Sequence, residues 1–246
     1  MTGLKDAVRT NFDASADAYE TYERRTGRFG ALARLLLAEM TARADGPLGV
    51  VLDAGAGTGI STAVIAAGGS RPVALDVSRG MLRANAAGDR VQGDFDRLPF
   101  PADAFDGVAF TASLFLVPDP AVAVREAARV VRPGGVVGAV APLGWVDADG
   151  TDLFASLDRE SRSPTGAEEV EAAVASAFDV RTGTWRFATT AEDVVRFHAI
   201  PAMAARLYPT APPEERVRRA TDLLGSLEGS FEQRWRWVVG AAGGPG

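Results

Sequence analysis

The sequence predicts an α/β fold in which helices cover both faces of a doubly wound, mostly parallel sheet, and three observations support this. Short apolar runs alternate with helical patterns over residues 46–142. Glycine and proline residues lie between these runs, where turns are expected. Hydrophobic types make up 47% of the 246 residues, which is enough apolar material for a sizeable core. Strands that alternate with helices pair in parallel and are buried on both faces.

The elements can be assigned in order along the chain. Residues 11–40 are predicted to be helical, because leucines recur at three- and four-residue intervals before Met40. Strands are then predicted at Val50–Leu52, at Val73–Leu75, around Val91, at Phe105–Phe110 and at Val136–Val140. Helices are predicted between them at Ser61–Ala67, after Ser78 as an N-terminal cap, and at Ala121–Val131.

The C-terminal third has a different pattern. A predicted helix at Glu168–Ala177 is followed by strand-like character over Phe178–Thr189. Residues 191–227 are predicted to form a helical insert that several prolines interrupt. Alternating large apolar residues over Phe231–Val239 predict a final strand.

Composition and charge exclude several classes of function. The chain has no cysteine, which excludes disulfides, thiolate metal sites and a cysteine nucleophile. His198 is the single histidine, so a multi-histidine metal site is excluded and we expect no metal. A formal net charge of -6 disfavours nucleic acid as a partner. No apolar run approaches a membrane span and the N-terminus lacks a signal-peptide core, so we expect a soluble, cytoplasmic protein without a membrane partner.

The strongest motif is a glycine loop that follows the first predicted strand. Gly55, Gly57 and Gly59 let the backbone adopt positive φ and let a ligand approach the main chain. The loop opens a helix, whose N-terminus favours polar or anionic groups. A dinucleotide fingerprint needs a glycine at position 60, which Ile60 occupies, and no Gly-Lys-Ser or Gly-Lys-Thr sequence is present to form a Walker phosphate loop. A purely structural turn remains the alternative for the loop taken alone.

Three aspartates follow successive predicted strands. Asp53 precedes the glycine loop, and Asp76 lies at the separation expected for an acid that accepts hydrogen bonds from ribose hydroxyls. Asp94 is placed to accept from an adenine amino group, with Phe95 against the ring. The alternatives are a helix-capping role for Asp76 and a turn role for Asp94.

These motifs occur in a recognisable order. The run Asp53–Gly59 resembles the first motif of the class I S-adenosylmethionine-dependent methyltransferases, specifically the small-molecule branch that includes ubiquinone/menaquinone-type enzymes. Asp76 and Asp94–Phe95 stand at that family's ribose and adenine positions. Two further runs, Arg97–Val108 and Arg129–Gly135, resemble its approaches to the fourth and fifth strands. The resemblance extends from about residue 11 to residue 140.

The resemblance implies a complete architecture. It is a Rossmann-like, seven-stranded, mostly parallel sheet with an antiparallel last strand and a helical lid insert. Residues 1–246 then form a single domain, with an N-terminal helical cap at 1–45 and a cofactor-binding core at 46–142. Residues 143–240 are the variable substrate-facing part, which contains the insert at 191–227.

The resemblance also implies a function and a cofactor. S-adenosylmethionine would donate a methyl group to an oxygen, nitrogen or carbon atom of a small-molecule acceptor and leave as S-adenosylhomocysteine, in a monomer or homodimer. A catalytically inactive, S-adenosylmethionine-binding regulatory protein is the alternative. The residues that the resemblance assigns to the cofactor are Tyr19, Tyr22, Asp53, Gly55, Ala56, Gly57, Gly59, Asp76, Val77, Met81, Asp94, Phe95, Thr111 and Ala112.

The sequence departs from the family pattern after the fourth strand. Related enzymes often carry a histidine pair there, whereas this chain has Phe115 and Leu116. The substitution removes a base and favours an apolar acceptor pocket, although Phe115 could equally be ordinary core. His198 lies in the insert predicted to cover the acceptor, where a structural role is the alternative to a catalytic one. The catalytic residues are therefore left unassigned.

Overall fold

The computed structural model describes residues 2–155 and 165–243, and these ranges contain one seven-stranded sheet. Its spatial order is β3-β2-β1-β4-β5-β7-β6. The strands are β1 Val50–Ala54, β2 Arg71–Asp76, β3 Arg90–Gln92, β4 Phe105–Phe110, β5 Val131–Val146, β6 Asp179–Thr190 and β7 Ser230–Ala241. Strands β1 to β5 pair in parallel, and β7 runs antiparallel to both β5 and β6. The predicted fold class, including its antiparallel last strand, is confirmed.

Helices cover the sheet and its carboxyl edge. They are α1 Thr2–Asp13, α2 Ala16–Thr26, α3 Arg28–Arg43, α4 Ile60–Ala67, α5 Arg79–Ala84, α6 Pro120–Val130, α7 Ala167–Ala175, α8 Ala191–His198, α9 Pro201–Leu207 and α10 Pro213–Leu224, with a short 3₁₀ turn at Leu114–Leu116. Within the described ranges, none of these helices combines the length and apolar character needed to cross a bilayer.

The predicted elements differ from the observed ones mainly at their boundaries. The predicted N-terminal helical stretch is three helices, and Gly27 separates the last two with a φ of 59°. Strand β5 extends well beyond the predicted Val136–Val140, because β7 pairs with it over most of its length. The predicted insert is divided into α8, α9 and α10. Part of the predicted substrate-facing region, residues 156–164, lies outside the described residues, and the domain division remains a prediction.

The centre of the sheet is packed closely by one helix. All six residues of β4 are buried, as expected for a central parallel strand. Helix α3 crosses this region, and a Cβ atom added at Gly138 of β5 would lie 2.8 Å from the Cγ and Sδ atoms of Met40. Glycine is therefore required where α3 approaches the strand, which fixes the cap against the sheet.

The N-terminal helices and the insert form one roof over the carboxyl edge. Ser15 Oγ accepts a hydrogen bond from the backbone N–H of Ala202 at 3.0 Å. Arg216 of α10 donates to Asn11 Oδ1 at 2.9 Å. On the other side, Asp13 Oδ1 accepts from the backbone N–H of Gly80 at 2.8 Å. Segments from both ends of the chain are thus joined above the ends of the central strands.

Candidate functional site

A cleft of about 1020 Å³ opens beneath this roof, at the carboxyl ends of β1, β2 and β4. Open α/β sheets bind ligands at this edge. Its walls combine the glycine loop, the ends of the strands and the N-terminal helices. The described lining residues are Val8, Phe12, Tyr19, Phe29, Gly55, Ala56, Gly57, Thr58, Ile60, Ser61, Asp76, Val77, Met81, Gly93, Asp94, Phe95, Thr111, Ala112, Ser113, Leu116, Val117 and Pro118.

The glycine loop is held open by its own backbone. The N–H groups of Gly55 and Ala56 donate to the carbonyl of Leu75 at 2.8 and 3.0 Å, so the loop folds back onto β2. Gly57 has a φ of 54°, and a Cβ atom added there would meet no atom within 4 Å. Since Gly57 lines the cleft, this open space is room for a ligand to touch the main chain.

Asp76 is oriented by the same loop. Its Oδ2 accepts from the Gly57 N–H at 2.9 Å, and its Oδ1 accepts from the Ser78 N–H at 2.8 Å. Burial raises the pKa of Asp76, while these two hydrogen bonds oppose the rise. A carboxylate accepts about four hydrogen bonds, so both oxygens keep capacity for donors from the cleft.

Asp53 lies beneath the loop and does not line the cleft. It is fully buried, and its Oδ2 accepts from Ser61 Oγ at 2.7 Å and Thr62 Oγ1 at 2.6 Å. Its Oδ1 has no hydrogen-bond partner, and burial raises its pKa to about 6. Asp53 therefore anchors the first turn of α4 and fixes where the loop ends.

Asn85 contacts the glycine loop and α4, and the sequence motifs did not predict this contact. Its side chain is 1% exposed, and its Nδ2 donates to the Thr62 hydroxyl at 3.2 Å and the Gly57 carbonyl at 3.4 Å. A Cβ atom at Gly59 would lie 2.7 Å from Asn85 Oδ1, so Gly59 packs against this side chain rather than lining the cleft. Asn85 follows a short helix at no recognisable motif position, so the sequence carried no signal for it.

The far wall of the cleft is apolar and aromatic. Met81, Val77 and Phe95 line it, and Phe95 packs edge-on against Phe110 with ring centroids 5.4 Å apart. Asp94 lies at the same end, and its Oδ1 accepts from the backbone of the following turn. This end of the cleft therefore offers a flat apolar slot with an acceptor at its edge.

The end of β4 supplies main-chain groups. Thr111 and Ala112 line the cleft, and Ala112 adopts the left-handed conformation with a φ of 56°. Ser113 donates its hydroxyl to the carbonyl of Ala54 at 2.6 Å, which holds this turn beside the glycine loop. Leu116 also lines the cleft, whereas Phe115 is buried and lies under the guanidinium of Arg206.

Of the two tyrosines singled out in the sequence, only Tyr19 lines the cleft. Its ring stacks on Phe29 with centroids 4.6 Å apart, and burial raises the pKa of its hydroxyl. Tyr22 packs behind this pair against Phe29 and Phe197, and burial raises its pKa to about 12. The cleft thus brings together all the predicted residues except Asp53, Gly59 and Tyr22.

A model of the methyltransferase domain matches residues 52–139. Over this stretch, which is 88 of the 246 residues, the chain is similar to a methyltransferase domain. The match contains the glycine loop, Asp76, Asp94 and the end of β4, which are the parts that form the floor of the cleft. The predicted resemblance to class I methyltransferases is confirmed at the level of this domain.

One curated relative is similar to this chain in sequence, and two solved structures are similar to it in fold. The chain is 48% identical to a demethylmenaquinone methyltransferase of Mycolicibacterium vanbaalenii over 91 residues, which are 36% of this chain and 40% of that protein. The fold resembles the crystal structure of the YcgJ protein from Bacillus subtilis, with 20% identity, a TM-score of 0.57 and coverage of 85% and 98%. It also resembles a Haemonchus contortus phosphoethanolamine N-methyltransferase in complex with S-adenosylhomocysteine, with 15% identity, a TM-score of 0.51 and coverage of 85% and 52%.

Proposed function

We propose that this chain is an S-adenosylmethionine-dependent methyltransferase that transfers a methyl group to an oxygen, nitrogen or carbon atom of a small molecule. The observation that carries the proposal is the open cradle formed by Gly57 and Asp76 within the matched methyltransferase domain. The acceptor of the demethylmenaquinone methyltransferase is not assigned to this chain, because the match between the two proteins covers 36% of this chain.

The residues present fit the cofactor. The empty space above Gly57 leaves room for an amino-acid tail against the loop, and the buried Thr58 hydroxyl has no hydrogen-bond partner in the structure. An unpaired buried hydroxyl is costly, so a polar ligand group at this place would stabilise it. Asp76 would accept from the ribose hydroxyls with the capacity its oxygens retain.

The remaining parts of the cofactor match the other walls. The slot between Met81 and Phe95 suits an adenine ring, with Asp94 at its amino edge. The left-handed turn at Ala112 would direct main-chain oxygens toward the sulfonium. Tyr19 would cover the charged centre, since an aromatic face tolerates a cation.

When bound, S-adenosylmethionine would supply a methyl carbon already activated for displacement. The chain's own residues would then bind, orient and exclude water. Asp76 and the open main chain at Gly57 would fix the cofactor, while Phe12, Tyr19 and Phe29 would close the cleft from above. Orientation of this kind can contribute roughly 7–11 kcal/mol to the lowering of a barrier.

Two measurements on the full chain test the proposal. Isothermal titration calorimetry should show binding of S-adenosylmethionine and S-adenosylhomocysteine at one site. Incubation with methyl-labelled S-adenosylmethionine and fractionated metabolite extracts should then produce a labelled small molecule together with S-adenosylhomocysteine. Absence of binding would contradict the cofactor assignment, and binding without any labelled product would favour the regulatory alternative.

A further inference from the structure

The glycine loop has to be held in shape by its surroundings. Gly55, Gly57 and Gly59 all have positive φ, of 81°, 54° and 98°. Glycine gives an unliganded loop many other conformations, and restricting them costs conformational entropy. A ligand that touches the main chain binds only the fraction of molecules in which the loop already has the right shape. The contacts that hold the loop therefore influence the affinity of the cleft.

Two side chains hold the main chain of Gly57 from opposite sides. Asp76 Oδ2 accepts from its N–H at 2.9 Å, and Asn85 Nδ2 donates to its carbonyl at 3.4 Å. The second hydrogen bond is the longer one, but Asn85 also packs against the loop. A Cβ atom added at Gly59 would lie 2.7 Å from Asn85 Oδ1 and 2.8 Å from its Cγ. Asn85 thus restrains the loop at two of its three glycines.

The orientation of the Asn85 amide is set by its other partners. Its Oδ1 accepts from the backbone N–H of Ala87 at 2.9 Å, and its Nδ2 also donates to Thr62 Oγ1 at 3.2 Å. A flipped amide would place its NH₂ group against the Ala87 N–H and its oxygen against the Gly57 carbonyl, so donors would face donors and acceptors would face acceptors. Because Asn85 is 1% exposed, water has little access to replace these bonds.

The same amide reaches Asp53 through Thr62. The Thr62 hydroxyl accepts from Asn85 and donates to Asp53 Oδ2 at 2.6 Å. Hydrogen bonds in such a chain polarise and strengthen one another. Asn85 at the end of α5 is therefore joined to α4 and to β1, the two elements between which the glycine loop lies.

We propose that Asn85 is a positioning residue that holds the glycine loop in the shape that receives the amino-acid tail of S-adenosylmethionine. The inference rests on the proposed function. Asn85 does not line the cleft, so it acts through the loop. The side chains proposed to hold the nucleoside, among them Asp76, Met81 and Phe95, line the cleft themselves, and Asp76 keeps its bond from Ser78 without Asn85. Loss of Asn85 should therefore weaken binding of the tail more than binding of the nucleoside.

Asn85→Ser tests this role. A serine hydroxyl can still accept the N–H of Ala87 in a local turn, but it is too short to replace the bond to the loop. S-adenosylhomocysteine and 5′-methylthioadenosine, which has the same nucleoside without the amino-acid tail, are titrated into the full chain by calorimetry. We expect Asn85→Ser to bind S-adenosylhomocysteine about tenfold more weakly and 5′-methylthioadenosine within about twofold of wild type, since a tenfold loss corresponds to a tenfold smaller competent fraction.

Arg90→Gln is the matched control. Arg90 Nη1 donates to the carbonyls of Leu82 and Asn85 at 3.2 and 2.7 Å, so this variant loosens the same end of α5 without changing the Asn85 side chain. It should bind both ligands within about twofold of wild type. Should Asn85→Ser fail to fold, Asn85→Asp decides the question, because it keeps the size of the side chain and the bond from Ala87 but loses both N–H donors.

Amide exchange in the free protein gives a second measurement that needs no ligand. Residues 55–62 should exchange about tenfold faster in Asn85→Ser than in wild type, because the loop opens more often without its restraint. The same residues should exchange at the wild-type rate in Arg90→Gln.

Three results would overturn the role of Asn85. These are unchanged affinity for S-adenosylhomocysteine in the Asn85 variants, equal weakening of both ligands, or unchanged amide exchange in the loop. Binding of S-adenosylhomocysteine to wild type is measured first. If wild type binds it and the variants give one of these results, only the role of Asn85 is refuted, whereas a wild type that does not bind refutes the proposed function and with it this inference.

Discussion

At the scale of single residues, Asp76 carries the clearest expectation. Asp76→Ala should weaken S-adenosylmethionine binding by about 2–3 kcal/mol, because it removes a charged hydrogen-bond acceptor from a buried position. Calorimetry measures the change. Asp89→Ala is the control, since Asp89 is exposed and ion-paired with Arg71 outside the cleft. Wild-type affinity in Asp76→Ala would mean that this carboxylate does not hold the ribose.

A comparison of variants at Gly57 and Gly69 distinguishes the loss of a ligand contact from the effect of backbone strain. Gly57→Ala should lose about 2 kcal/mol or more of cofactor affinity, since the new methyl group would enter the cleft at a left-handed position. Gly69→Ala is closely matched, because Gly69 has a φ of 88° and equally open surroundings but does not line the cleft. Both variants should lose about 1 kcal/mol of stability from the strained φ. Equal cofactor affinity in the two would show that the cradle is not a binding surface.

Most of the residues predicted from the sequence line the cleft, but Asp53, Gly59 and Tyr22 do not. The glycine loop and Asp76 follow strands directly, so their position is set by the few residues around them. Tyr19 and Tyr22 are three residues apart on one helix, and periodicity alone does not say which one faces a cleft. Asn85 reaches the loop only because β2 and α5 bring it back, so its role depends on tertiary packing.

At the scale of an element, the start of α4 depends on the buried Asp53. Its pKa in the folded protein is about 6, above the ordinary 3.8. As pH rises, the unfolded chain therefore releases this proton first, and the free energy of unfolding falls between those two values. The rise in the pKa of Asp53 from 3.8 to about 6 corresponds to about 3 kcal/mol of stability lost above pH 6.

Asp53→Asn tests this assignment. The amide keeps an acceptor for Ser61 and Thr62, and no hydrogen bond is lost at Oδ1 because that atom has no partner. We expect the variant to match wild type near pH 4 and to exceed it by up to about 3 kcal/mol at pH 8. Urea unfolding at a series of pH values measures the difference. If the free energies of unfolding of the two proteins changed in parallel with pH, ionisation of Asp53 would not destabilise the folded protein.

Boundaries of elements were less predictable than their type. The strand at Phe105–Phe110 is predicted and observed with the same limits, because it is buried along its whole length. Strand β5 is longer than predicted, since pairing with β7 extends it through the bulge near Pro142–Gly144. That pairing joins residues 86 to 105 positions apart, as Val146↔Glu232 and Val136↔Ala241 show, so no local pattern records it.

At the scale of the whole molecule, the least predictable feature is the ring layer formed by Phe29, Trp145 and Phe197. Phe29, Trp145 and Phe197 come from an N-terminal helix, a central strand and the insert, and each is an ordinary apolar residue in its own segment. Their meeting follows from the topology, which places the cap and the insert over the same end of the sheet. The sequence alone predicted that an insert covers the acceptor, but it could not predict what the insert touches.

The hydrogen bond between the N-terminal helices and the insert predicts that amide exchange in both regions changes when a ligand binds. S-adenosylhomocysteine should slow amide exchange in α2 and also in α9, because Ser15 accepts a hydrogen bond from Ala202 and links the two helices. Mass spectrometry should show about tenfold slower exchange in both, against unchanged rates in the central strands. Ser15→Ala should keep the protection of α2 and lose that of α9, whereas Ser176→Ala, which removes only a local bond to Ala173, should change neither. Protection of α9 that survives Ser15→Ala would mean that the insert senses the cofactor through the ring layer instead.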